Sequence, residues 1–127
     1  MLEVRRPVRE IGGRLLDFAT NVLTLSNRMG RTASGRYLAN QLVRAACSAG
    51  ANYQESRGAE SRADFIHKMH IVLKELRESL YWLTLVERAH LASGDSISCL
   101  VTEADQLVSI LVKALVTAKS RGSASGT

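Results

Sequence analysis

Proline and aromatic residues are scarce in this chain: one Pro, two Phe, three Tyr and one Trp among 127 residues. With its only Pro at position 7, nothing downstream is forced to break a helix. So few aromatic and β-branched runs argue against a core built on sheets. Two cysteines, Cys47 and Cys99, are too few for a disulfide framework and stand at no metal-binding spacing. Among apolar sequence neighbours they read as reduced core thiols of a cytosolic protein. No apolar run approaches the roughly 20 residues of a membrane span. Residues Met1 to Pro7 are not followed by an apolar signal core. Cytoplasm is therefore the expected setting, with no membrane partner.

What is present is apolar, charged and helix-forming. Apolar residues make up 46% of the chain, enough for one domain to bury a core without disulfide or metal. Lys and Arg number 17 against 12 Asp and Glu, a formal charge of +5. That excess permits an anionic partner without requiring one. It is uneven: Arg5, Arg6, Arg9, Arg14, Arg28, Arg31 and Arg36 face only Glu3, Glu10 and Asp17 in the first 36 residues.

The longest uninterrupted stretch, residues 61–91, has no Gly or Pro and reads as one helix about 45 Å long. At 100° per residue, Phe65, Met69, Val72, Leu76, Leu80 and Leu83 share one face, a core stripe. About 90° away lies a second stripe of Ile71, Glu75, Glu78, Trp82, Val86 and Ala89. A monomeric bundle helix needs one apolar stripe, so the second calls for another contact.

The same spacing predicts helices over 13–29, 35–56 and 96–119. The first carries Leu15, Phe18, Ala19, Val22, Leu25 and Met29, with Gly30 as its left-handed stop. Ser34 is the expected cap of the second, whose core face is Leu38, Leu42, Ala45, Ala49 and Tyr53. Gly50 is a weak point inside it, costing up to about 1 kcal/mol relative to Ala. Ser61 to Asp64 resembles a capping box for the third helix. Ser93 or Ser96 is placed to cap the fourth, whose broad apolar face runs from Ile97 to Ala118. Ile110, Val112, Ala114 and Val116 widen that face beyond one core's need and suggest a subunit contact. Residues 1–12 read as an N-terminal arm and 120–127 as a flexible tail. Four helices on short links predict an all-α, up-down-up-down antiparallel four-helix bundle over 13–119.

Catalytic and metal patterns are missing from the sequence. Glu87-Arg88-Ala89-His90 has the Glu-x-x-His form of di-iron bundles but stands alone at a helix end. His67 and His70 point away from the core stripe and read as solvated. Glu75 and Glu78 have no nucleophile around them in sequence, and there is no Gly-rich phosphate loop. The expectation is no enzyme, no catalytic residue, no metal and no cofactor.

The polar stripes read instead as structure. Arg44 on the second helix is expected to meet Glu75 or Glu78 on the third, with Asn52 and Glu55 completing a hydrogen-bonded network beside Trp82. A functional groove or a plain solvated face are the competing readings of the same residues. Among the basic residues, Arg28, Arg31 and Arg36 at one end, and Arg57 and Arg62 at the other, are candidate phosphate contacts for RNA or DNA. No helix-turn-helix, zinc-finger or aromatic RNA-binding signature accompanies them, so such binding would be weakly sequence-specific. The competing reading is charge that serves solubility only.

Residues 41–55, QLVRAACSAGANYQE, resemble the second-helix signature of the four-helix-bundle proteins encoded within intervening sequences of 23S ribosomal RNA genes. Residues 64–68, DFIHK, and 74–83, KELRESLYWL, resemble the third-helix signature of the same family. The resemblance spans about Leu15 to Leu115. Many family members have Pro where this chain has Gly50, and Gly where it has Ser56. It implies a cytosolic, left-turning four-helix bundle assembled as a homopentameric ring, with no known enzymatic activity and a family role that is undefined. A similar bundle is the accessory protein of diversity-generating retroelements, which binds a reverse transcriptase and nucleic acid. By that likeness, Arg and Lys on the ring surface would contact RNA or DNA. The motif positions Arg44, Asn52, Glu55, Glu75, Glu78 and Trp82 carry over as architectural. Taken together, the expectation is an oligomeric interaction module, binding nucleic acid or a nucleoprotein, or else another protein as a scaffold.

Overall fold

The computed structural model describes residues 11–126, with side chains to residue 121. Four helices follow in order: α1 (Ile11–Ser26), α2 (Ala33–Arg57), α3 (Arg62–Arg88) and α4 (Asp95–Gly126). There is no strand among the described residues. Each helix packs on the next, and α1 closes the bundle on α4. The α2–α3 pair is the most intimate and the α1–α4 seam the sparsest. Short links make the neighbours antiparallel, giving an all-α four-helix bundle.

The caps explain where the helices begin and end. α1 starts two residues earlier than expected, so Ile11 and Gly12 lie in its first turn rather than in an arm. Residues 1–10 of that expected arm lie outside the described residues. α1 ends at Ser26 without a left-handed residue, and Gly30 keeps negative φ. Its last turn tightens instead, with Arg28 N–H bonding Leu25 O and Met29 N–H bonding Ser26 O. Met29 stays buried although it has left the helix.

Thr32, not Ser34, caps α2, its hydroxyl accepting from Gly35 N–H at 3.0 Å. Ser61 caps α3 by accepting from Asp64 N–H at 3.0 Å. The Asp64 carboxylate answers with a bond from Glu60 N–H, one residue before the position a capping box would use. α3 stops three residues short of expectation. His90 takes φ of 57° there, Leu91 N–H bonds Val86 O, and His90 N–H bonds Glu87 O. That is a Schellman stop with His in the position Gly usually holds. α4 begins at Asp95, so Ser96 sits inside its first turn. It also runs on to Gly126, through residues expected to be a loose tail. Extending a formed helix gains one hydrogen bond per residue, and residues 120–126 contain no Pro to interrupt it.

The core is aliphatic. Leu15, Phe18, Val22 and Leu25 from α1 meet Leu38, Leu42, Ala46 and Ala49 from α2. Met69, Val72, Leu76, Leu83 and Val86 from α3 meet Ile97, Leu100, Ala104, Leu107, Leu111 and Leu115 from α4. Val86 thus belongs to the core rather than to a second stripe. Ser79, not Leu80, is fully buried on α3, and Ser56, not Tyr53, near the end of α2. Each serine satisfies its hydroxyl on its own helix, Ser79 on Glu75 O and Ser56 on Tyr53 O. The small side chains let neighbouring helices approach closely.

Both cysteines are exposed, contrary to their expected place in the core. Cys99 lies 100° from buried Leu100 and 200° from buried Ile97, so apolar neighbours in sequence put it on the outer face.

Candidate interaction surface

The face shared by α2 and α3 holds most of the residues singled out by the sequence. On α3, Glu78 and Trp82 are one turn apart, and the indole Nε1–H donates to Glu78 Oε2 at 3.0 Å. Arg44 Nη2 lies 3.8 Å from the same oxygen and donates to Gln41 Oε1 at 2.7 Å. The Arg44 side chain is 64% exposed, so the pair contributes little to stability.

Two tyrosines complete this face. Tyr37 and Tyr81 both stand edge-on to Trp82, with ring centroids 6.2 and 5.1 Å away. They are 57% and 61% exposed. The sequence reading gave Tyr37 no role. Its signal was the spacing Tyr37, Gln41, Arg44, which lines one face of α2 at one-turn intervals.

The rest of the expected network goes elsewhere. Asn52 Nδ2–H donates to Ser48 O and Oγ, at 2.9 and 3.0 Å, within its own helix. Glu55 lies 3.9 Å from Lys68, which also pairs with Asp64 at 3.8 Å. Glu75 Oε1 is buried and has no hydrogen-bond partner among the described residues. The structure therefore joins Arg44, Gln41, Glu78 and Trp82, and leaves Asn52, Glu55 and Glu75 outside that group.

Of the basic candidates, Arg28 donates to Ser96 Oγ at 2.7 Å and Arg36 to Gly30 O at 3.1 Å. Arg31 is exposed on the same turn and makes no ion pair among the described residues. These three cluster around the α1–α2 link and the start of α4. Arg57 and Arg62 flank the α2–α3 link but open onto different surfaces. Arg57 lines a groove between α1 and α2 with Gly12, Leu16, Cys47 and Gln54. Arg62 reaches across to α4 and donates to Ala118 O at 3.3 Å.

One strong contact had no sequence signal. Arg14 grips Glu103 with Nε at 2.9 Å and Nη2 at 2.6 Å, and Nη2 also donates to Gln106 Oε1 at 3.0 Å. The hydrogen bond to Glu103 holds the guanidinium pKa above its ordinary value. This bidentate pair ties the sparse α1–α4 seam across 89 positions of sequence.

His67, His70 and His90 are exposed, and His90 lies outside α3, so the Glu87–His90 pattern is not a helical pair. Among the described residues, no group of three His, Cys, Asp or Glu side chains is placed to hold a metal. No helix there is long and apolar enough to cross a membrane.

A crystal structure from Bacteroides thetaiotaomicron, of a protein of unknown function from the S23 ribosomal protein family, superposes with a TM-score of 0.77. The two chains are 28% identical over 83% of this one and 97% of the other. No curated protein matches the chain. The model of the 23S rRNA-intervening sequence proteins matches residues 12–113, which take in α2, α3, the aromatic face, nearly all of α1 and the first part of α4, and the chain belongs to that family.

Proposed function

We propose that the protein is a non-catalytic, self-associating module of the cytoplasm that presents basic surface to RNA or DNA. The observation that carries this reading is the Tyr37–Trp82–Tyr81 cluster, three aromatic rings packed together on an open face beside Arg44. Tyr, Trp and Arg are the residues that dominate binding energy at protein interfaces. Leu16, Leu23 and Val116 are also exposed, on α1 and α4. Apolar surface on both sides of the bundle suits head-to-tail assembly into a closed ring. The resemblance of the sequence to that family supports five subunits in such a ring.

A ring would repeat every cation around its axis. Arg31 and Arg57 make no ion pair among the described residues, so their charge is available to phosphate. The likeness to accessory proteins of diversity-generating retroelements supports the same direction by analogy. The aromatic face also suits a second reading, a scaffold for another protein with no nucleic-acid role.

The test is binding of structured RNA and duplex DNA at low and near-physiological salt, on protein freed of co-purifying nucleic acid. Binding that weakens steeply with added salt is expected. No binding at low salt would reject the nucleic-acid role and leave the scaffold reading.

A further inference from the structure

The groove between α1 and α2 has walls almost without side chains, because Gly12, Gly13, Gly50 and Ala51 line it. Its volume is about 550 Å3, within the range of ligand sites. Leu16, 68% exposed, and the exposed Cys47 add apolar lining. Gln54 and Arg57 are its polar side chains, and none of the lining residues is acidic. Neither of the two makes a hydrogen bond or an ion pair among the described residues. The groove therefore has room for a large side chain and donors to meet it.

The aromatic face is its opposite in shape and in hydrogen bonding. Tyr37 and Tyr81 carry rings outward, packed edge-on against half-buried Trp82. Each ring ends in a hydroxyl that accepts as well as donates. Glu78 bonds through Oε2 and has a second carboxylate oxygen to offer. Acceptors thus stand on the convex face and donors in the concave one. A guanidinium against a phenol ring adds cation–π attraction.

The two surfaces cannot meet within one chain. At about 100° and 1.5 Å per residue, Cys47 lies about 80° round α2 from Tyr37 and about 15 Å along it. Between two copies they can meet, and each copy then brings its own unfilled groove to the next. One aromatic face and one groove per chain match in number, so copies of the chain satisfy both without a further partner. Contacts between unlike patches repeat head to tail and close into a ring when the rotation allows.

We infer that the α1–α2 groove is the socket for the Tyr37 and Tyr81 rings of a second copy, with Gln54 and Arg57 donating to the phenols and to Glu78. The inference rests on the self-association reading above and names the surface that the reading left open. Arg57 carries five N–H donors, so this contact leaves others for phosphate.

The test is cross-linking with a short bis-maleimide, whose spacer stands in for the length of the replaced tyrosine side chain. Tyr37→Cys and Tyr81→Cys are each made in a Cys99→Ser chain, which leaves Cys47 as the only other thiol. All three substituted positions are exposed, so the core is untouched. One variant or both should give a ladder of covalent multimers ending at the closed ring. Adding Cys47→Ser should abolish the ladder, and the Cys99→Ser chain alone should give none. Ala51→Trp fills the groove from an exposed position and should weaken assembly at least about tenfold in sedimentation. Thr102→Trp, exposed on α4, should leave assembly unchanged.

Three results would each show that the groove is not the socket, while self-association stands. They are an assembled wild type with no ladder from either variant, a ladder that survives without Cys47, and an Ala51→Trp chain that assembles like the wild type. The groove would then pass to residues 1–10 or to another protein. If the wild type stays at the mass of one subunit at every concentration, both readings fall together.

Discussion

Glu75 and Glu78 lie one turn apart on the same edge of α3, yet only one of them is bonded. Glu78 Oε2 accepts from Trp82 and lies near Arg44, whereas Glu75 Oε1 is buried without a donor. A buried acceptor left unsatisfied costs about 1–3 kcal/mol. Glu75→Met keeps the length of the side chain and its helix propensity and removes the orphan oxygen. It should raise the unfolding free energy by about 1 kcal/mol in urea titration. A loss of stability would show that Glu75 has a partner in the native protein.

Two glycines in α2 should respond in opposite directions to the same substitution. A Cβ at Gly35 would be driven into the carbonyl oxygen of Met29 and to 3.0 Å from Thr32 Oγ1. The first of these is backbone and cannot swing away. Gly35→Ala should therefore cost about 2 kcal/mol or more, within the range for overpacking a tight site. A Cβ at Gly50 meets Leu15 Cβ at 3.8 Å, an ordinary contact. Gly50→Ala should gain about 0.5–1 kcal/mol from helix propensity. Paired thermal melts check both signs, and equal shifts would contradict the packing described.

His90 ends α3 in a left-handed conformation that a side chain with Cβ adopts at a cost. His90→Gly relieves that strain, while the added freedom of the unfolded chain offsets part of the gain. The expected net effect is a stabilisation of about 0.5 kcal/mol, read from the same melts. A destabilised His90→Gly would mean that the imidazole makes a contact of its own.

The fold was legible because its signals are local. Helical spacing of Leu15, Phe18 and Val22, or of Leu107, Leu111 and Leu115, needs no knowledge of the partner helix. The helix ends were less so. Gly30 advertised a left-handed stop that the chain does not use, while His90 makes one with nothing in its identity to announce it. The cysteines misled because sequence neighbours are not spatial neighbours on a helix.

At the candidate surface, the juxtaposition of Arg44 with Glu78 and Trp82 could be read from two facing stripes. Arg14 with Glu103, and Arg62 with Ala118, could not, since each depends on how far one helix slides along another.

The central claim is that the exposed aromatic face is covered by another copy of the chain. Sedimentation equilibrium of the wild type and of Tyr37→Ser/Tyr81→Ser, across a range of protein concentration, tests it most directly. The account predicts a wild-type species that is a multiple of the 13.9 kDa subunit, a pentamer on the family resemblance, and a folded double variant shifted toward the monomer. A wild-type protein that stays at the mass of one subunit at every concentration would contradict it.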